Sequence, residues 1–177
     1  MMELTEKQID ERYIYKGEII NLKAQEVILP NGKKAMREIV EHPGAVAVIP
    51  VTEDGRVILI EQFRKAINSI ILEIPAGKLH SKEYIEDCGR RELKEETGYE
   101  AQEFKYLGKL AMAPGFADEI VHVFKAGKLT KGEVNWDDDE FINLKEFSVE
   151  EINDLIRSGK IIDAKTVAAM TLLSLDK

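Results

Sequence analysis

Apolar and polar positions divide the chain into short extended runs and three helical ones. Residues 45–51, AVAVIPV, and 56–63, RVILIEQF, are almost continuously apolar, the pattern of strands covered on both faces. They flank TEDG, which predicts a hairpin. An earlier hairpin is predicted at PNGK, where Asn31-Gly32 separates the extended run 12–29 from 34–41. SIILEIPAGKL, residues 69–79, reads as a strand entering a Pro-Gly loop. FKYLGKLAMAP and EIVHVFKAGKL read as two further strands around the loop APGFADE. A helix is predicted over about 81–97, with Ser81 as N-cap and Gly98 at its end. SVEEINDLIRSGK and DAKTVAAMTLLSL predict two more. Strands, one helix, strands and then terminal helices indicate an α+β chain or a layered α/β/α domain with a mixed sheet, not a βαβ repeat.

The helix at 81–97 carries an anomaly. At about 100° per residue, Cys88, Gly89 and Leu93 share the direction of Ile85 and suit packing on a sheet. Glu83, Asp87, Arg90 and Lys94 fall on the opposite, solvated side. Glu92 and Glu96 point within about 20° of Ile85, and Glu95 lies at the edge of that group. Carboxylates on a packing face need cations or hydrogen bonds, and like charges at i, i+4 repel. A divalent cation resolves both problems, and Mg²⁺ favours a few carboxylates with water and substrate phosphates. Arg91 can brace one of the acids. A solvated charge run or a structural ion-pair network is the competing reading from position alone.

Composition narrows the function classes. With 177 residues, 44% apolar and 33% charged, one domain is the default. No apolar run is long enough for a membrane span. The opening MMELTEKQIDERY lacks the basic and apolar regions of a signal peptide. Cys88 is the single cysteine and has no partner for an intramolecular disulfide, so a reducing cytoplasm is expected. A net charge of −8 argues against a nucleic-acid partner. His42, His80 and His122 show no metal-ligand spacing. Cys88, on the packing side, reads as a buried inert thiol.

The stretch GKLHSKEYIEDCGRRELKEETGY matches a known pattern. Gly77, Glu83, Arg91-Glu92-Leu93, Glu95-Glu96 and Gly98 occupy the defined positions of the Nudix box, and the chain resembles that family. Tyr99 stands where an aliphatic residue is usual, and Gly89 could permit close helix–sheet approach. EHPGAVAVIP, EQFR, EIPAGK and PGFADE, with Pro114 sixteen residues beyond Gly98, resemble the ADP-ribose pyrophosphatase subfamily. The resemblance implies a loop–helix–loop on a mixed sheet sandwiched by helices. It also implies an antiparallel N-terminal β arm over 1–43, exchanged between the subunits of a homodimer, and a hydrolase domain over 44–177. The implied activity is Mg²⁺-dependent cleavage of ADP-ribose to AMP and ribose 5-phosphate, with Mn²⁺ as a substitute. Another nucleoside diphosphate sugar, such as GDP-mannose, is the nearest alternative substrate. A nucleotide-sensing module is a third reading, disfavoured by the intact box, the acidic charge and the absence of a basic DNA-binding domain.

The resemblance also assigns roles. Glu92 and Glu96 would be the principal metal ligands, with Glu95 a further ligand and catalytic candidate and the carbonyl of Ala76 joining them. Glu83 and Arg91 would orient these groups, and the helix would begin after Glu83 if its opposite direction is taken at face value. A general base is expected in NWDDDEFI, where Glu140 and Asp138 are the first candidates and Asp139 a third. Arg64 would contact phosphate or the terminal ribose. Arg37 and Glu41 on the arm, and Pro114, Asp118 and Glu119 on the later loop, would shape the substrate site. Tyr13 or Tyr15 could stack on adenine, although edge packing suits both.

Overall fold

The computed structural model describes residues 3–132 and 141–176. It divides into two compact units, one formed by residues 1–44 with 111–120, the other by 45–110 with 121–177.

In the first unit, β1 (Lys7–Lys16), β2 (Asn21–Ile28) and β3 (Lys34–Glu41) form an antiparallel meander. The Asn31-Gly32 turn joins β2 to β3 as predicted, with Gly32 at φ 79° and Lys33 N donating to Asn31 Oδ1 at 3.0 Å. The run 12–29, however, is two strands. Gly17 N donates to Ile20 O at 3.0 Å and closes a turn over which the Tyr15 ring packs. A Cβ on Gly17 would lie 2.6 Å from that ring, so the turn needs glycine for space. The segment 111–120 joins this unit through Val40 N to Phe116 O at 2.7 Å and Asp118 N to Val40 O at 3.1 Å.

The second unit contains β4 (Ala45–Pro50), β5 (Val57–Arg64), β6 (Ser69–Glu73), β7 (Ala76–Lys78), α1 (Ile85–Thr97), β8 (Tyr99–Ala111), β9 (Ile120–Lys131), β10 (Asn143–Phe147), α2 (Val149–Arg157) and α3 (Ala164–Leu175). One sheet has the order β7-β4-β9-β8 and is mixed, with β4 and β9 parallel. A second has the order β10-β5-β6 and is antiparallel. The expected α+β class with a mixed sheet is what forms. Every residue of β4 is buried, as its unbroken apolar run requires.

Three local expectations are corrected. TEDG makes a turn, with Gly55 N donating to Thr52 O at 3.0 Å, but beyond the isolated Val51–Val57 bridge β4 and β5 do not pair and belong to different sheets. A turn signal fixes a reversal of the chain, not the strand it will pair with. Residues 143–147 add the strand β10, which pairs with β5 from Asn143 opposite Glu61 to Phe147 opposite Val57. And α1 starts at Ile85 with Tyr84 as N-cap and no side-chain cap, because Lys82 adopts a left-handed φ of 69° that no helix tolerates. Ser81 therefore caps nothing. Its intended place is taken by a turn in which His80 N donates to Glu83 Oε2 at 3.0 Å and Glu83 N to His80 O at 3.1 Å.

The apolar side of α1 meets the mixed sheet. Cys88 and Leu93 pack with Val46, Val48, Phe124 and Ala126. Gly89 sits where a Cβ would come within 2.9 Å of the Phe104 ring and 3.0 Å of Val46. The helix ends at Gly98, which has φ 73° and donates to Lys94 O. At α2, Ser148 and Glu151 form a full capping box. Replacing Gly89 by leucine should overpack the contact between α1 and the sheet and cost about 1–3 kcal/mol, seen as a lower denaturation midpoint. An unchanged midpoint would mean that α1 does not approach the sheet this closely.

Candidate active site

Burial follows the predicted anomaly. Glu92 and Glu96 are 8% and 3% exposed, whereas Lys94 and Asp87 on the far side are exposed. The cause is register. Cys88, Gly89 and Leu93 must face the sheet, and positions 92 and 96 lie beside them on the same stripe. Their carboxylates reach the short strand β7. Ala76 N donates to Glu96 Oε2 at 2.9 Å. The Glu92 carboxylate lies against Gly77, where an added Cβ would fall 1.8 Å from its Cδ. Glycine at 77 thus leaves a cradle that an acid from α1 fills.

Arg91 binds more of this surface than the single acid expected of it. It donates from Nε to Glu83 at 2.9 Å, from Nη1 to Glu92 at 2.6 Å and Glu95 at 2.8 Å, and from Nη2 to the carbonyl of Lys78 at 3.2 Å. One guanidinium therefore links three carboxylates. The Arg91 bond, ahead of the His80 amide, holds Glu83 down at about 2, and Glu83 in turn keeps Arg91 above its ordinary range. Burial pushes the Cys88 thiol up to about 12, in keeping with an inert core cysteine.

The hard-oxygen donor set of Glu92, Glu95 and Glu96 with the Ala76 carbonyl is chemically suited to a small divalent cation. Among the described residues no three His, Cys, Asp or Glu side chains converge closely enough to ligate an ion as they stand. Arg91 supplies positive charge among them instead.

The remaining predicted residues separate into two places. Arg37, Pro114, Asp118 and Glu119 line one cavity of about 700 Å³ within the first unit, with Gln25, Ile39 and Phe116. There Arg37 makes a two-point pair with Glu6, with Nε at 3.0 Å. Asp118 accepts from His42 N at 2.8 Å, and Glu119 lies 3.7 Å from His42 Nδ1. Glu41 is not among the lining residues. It pairs with Lys23, whose ammonium also lies 5.1 Å from the centroid of the Tyr13 ring. Tyr15 packs over Gly17. Arg64 lies in the second unit at the end of β5, paired with Glu73 at 2.7 and 2.9 Å. Glu140, Asp138 and Asp139 lie outside the described residues.

Sequence reasoning did not find Glu73, Lys165, Asp163 or Thr166. Glu73 stands in an apolar run, ILEIP, and is 1% exposed. A charge in such a run is a usable signal of a buried pair, but its partner Lys165 is 92 residues away.

Comparisons with known proteins identify the family. A NUDIX domain model matches residues 41–170, and a nucleoside diphosphate sugar hydrolase N-terminal domain model matches residues 6–40. The chain belongs to the Nudix family and is, by class, a pyrophosphohydrolase. It is 46% identical to an ADP-ribose pyrophosphatase of Bacillus subtilis (strain 168), over 99% of this chain and 96% of that one. It is 44% identical to a methanol dehydrogenase activator of Bacillus methanolicus, over 97% and 94%. It is 34% identical to a GDP-mannose pyrophosphatase of Escherichia coli (strain K12), over 73% and 72%. A crystal structure of an ADP compounds hydrolase superposes with a TM-score of 0.86 at 22% identity, covering 97% and 94% of the two chains, and shares the fold.

The pairing of Glu83 with Arg91 has a pH consequence. A carboxyl whose folded pKa lies below its unfolded value contributes stability above the unfolded value and loses it as pH falls through the folded one. That window runs from 4.5 down to about 2. Denaturation midpoints of the wild type should fall through it. Arg91→Ala should begin lower at neutral pH and show a flatter dependence across the same window. Parallel curves for the two proteins would contradict the assignment.

Proposed function

We propose that the chain is a Mg²⁺-dependent hydrolase that cleaves the diphosphate of ADP-ribose to AMP and ribose 5-phosphate. The observation that carries this reading is the buried pair Glu92 and Glu96, set on the packing stripe of α1 against Ala76 and Gly77. Two acids in that setting have a physical reason to be there if they hold a cation. The 46% identical relative named for ADP-ribose supports the choice of substrate.

In this reading Glu92, Glu95, Glu96 and the Ala76 carbonyl hold Mg²⁺, or Mn²⁺ in its place. The metal would supply charge neutralisation of the diphosphate and a more acidic bound water. Arg91 and Glu83 orient the acids. A base in the segment NWDDDEFI, Glu140 or Asp138, takes the proton of the attacking water. The water oxygen joins one phosphorus while the bridging oxygen leaves with the other phosphate. The cavity lined by Arg37, Pro114, Asp118 and Glu119 offers a cation, four acids counting Glu6 and Glu38, and apolar surface for part of a nucleotide sugar. Arg64 contributes to phosphate binding, and Glu41 supports the arm strand that carries Arg37. Exchange of the 1–43 arm in a homodimer is part of the same reading. It is supported by β1, exposed along its whole length and carrying Ile9, Tyr13, Ile14 and Tyr15. A cytoplasmic setting fits the single buried thiol.

GDP-mannose is the second reading. It is favoured by the 34% identical relative named for that substrate, and it keeps the same metal residues and reaction.

Two measurements test the proposal. In a panel of ADP-ribose, GDP-mannose, UDP-glucose, a dinucleoside polyphosphate and 8-oxo-dGTP with Mg²⁺, ADP-ribose should give the highest kcat/KM, with AMP and ribose 5-phosphate as products. Preference for another diphosphate sugar would replace the substrate and keep the site. Glu96→Gln and Gly77→Ala should both fold, and both should lose about a hundredfold or more in metal-dependent turnover. The first removes a donor, and the second displaces Glu92. Wild-type turnover in Glu96→Gln would refute the metal assignment.

A further inference from the structure

Glu73 ends β6 and is almost wholly buried, yet it binds two cations. Arg64 makes a two-point pair with it, Nε to Oε1 at 2.7 Å and Nη2 to Oε2 at 2.9 Å. Lys165, in the first turn of α3, donates to the same Oε2. Lys165 also reaches Asp163 at 3.0 Å. Asp163 caps α3 by accepting from Thr166 N at 3.0 Å and from the Thr166 hydroxyl at 2.6 Å. That hydroxyl oxygen accepts from Ile74 N at 2.9 Å. The start of α3 thus holds two successive residues, Glu73 by its side chain and Ile74 by its backbone. Two residues further on, Ala76 N meets Glu96.

One cation would neutralise Glu73. The arrangement does something further to Arg64. A guanidinium has five N–H donors. Glu73 takes Nε–H and one hydrogen of Nη2. The other three, two on Nη1 and one on Nη2, lie along a different edge, and among the described residues no acceptor is bonded to Nη1. Arg64 is 41% exposed, whereas Glu73 is 1% and Lys165 12% exposed, so the paired edge faces inward and the side chain still reaches solvent. Burial works against the charge of Arg64, and the Glu73 pair together with the fields of Glu96 and Asp163 outweighs it. Arg64 therefore lies within the field of an acid at the candidate active site. A fixed, charged guanidinium with a second two-point edge is suited to the oxygens of a phosphate.

We propose that Glu73 and Lys165 are positioning residues, which hold Arg64 by its Nε edge so that its remaining edge binds a phosphate of the diphosphate substrate. The assignment rests on the hydrolase reading for the identity of that substrate. Lys165 shares Oε2 with Arg64, and so keeps the carboxylate from drawing Arg64 wholly onto itself. Without Lys165, Glu73 has a single cation, and Arg64 turns further inward and becomes a weaker anion site.

The test uses the full chain with Mg²⁺ and α,β-methylene-ADP, a diphosphate probe that is not hydrolysed at that bond, with binding read by calorimetry. Arg64→Ala and Lys165→Met should each weaken the probe by about tenfold. The double variant should be no weaker than either single one, because both act through the same edge. Lys165→Arg should recover most of the affinity. Should Lys165→Met fail to fold, Lys165→Gln keeps a donor to Glu73 without the charge and carries the same comparison. With ADP-ribose, KM should rise in these variants while kcat stays within about twofold. Wild-type binding in the Lys165 variant, additive losses in the double variant, or no effect of Arg64→Ala would each overturn the proposal, as would failure of the wild type to bind the probe. If the probe results come out as expected and ADP-ribose is not turned over, the positioning role stands and the substrate reading falls.

Discussion

Negative charge on the packing stripe of a helix is the constraint that organises the second unit. Cys88, Gly89 and Leu93 commit one side of α1 to the sheet, and the helical repeat carries Glu92 and Glu96 to that side with them. Two carboxylates so placed cannot be left to water, and each must be matched locally. The matching is visible in the surrounding chain. Ala76 offers its amide to Glu96, Gly77 leaves room for Glu92, and Arg91 spans Glu83, Glu92 and Glu95. Most of the particular residues around α1 are explained by this one requirement.

The same requirement recurs a short distance along the chain. Glu73 is a second buried acid, matched by Arg64 and Lys165, and it lies three residues before Ala76. The β6–β7 junction is therefore pinned from α1 on one flank and from the start of α3 on the other. Pro75 O, which accepts from Val48 N at 2.9 Å, ties it to β4 as well. A junction held in this way keeps the amide and carbonyl of Ala76 at a fixed position. Breaking a buried ion pair by removing one member costs about 3–5 kcal/mol, so such pairs resist drift once they are formed.

Much of this was legible in the sequence, for identifiable reasons. The strands β4 and β5 announce themselves by unbroken apolar runs, and the direction of Glu92 and Glu96 follows from the helical repeat alone. The start of α1 did not follow, because the left-handed Lys82 has no local signature and Glu83 closes a turn onto the His80 amide ahead of the helix. The break at Gly17 was hidden because its turn depends on the packing of Tyr15. The separation of β4 and β5 into different sheets depends on which strands pair, which a turn signal does not encode. The Glu73 cluster was missed because its members lie far apart in the chain. Long-range pairing of this kind belongs to the fold and not to any segment.

The central claim is that the acids of α1 are a cation site in which Arg91 balances charge when no cation is bound. Crystals grown with Mn²⁺ and a non-hydrolysable ADP-ribose analogue, measured at the manganese absorption edge, test it most directly. The account predicts anomalous density beside Glu92, Glu96 and the Ala76 carbonyl, with Arg91 withdrawn from at least one of its acids. Anomalous density elsewhere, with Arg91 still joined to Glu83, Glu92 and Glu95, would contradict it and leave the acids of α1 as a structural ion-pair network.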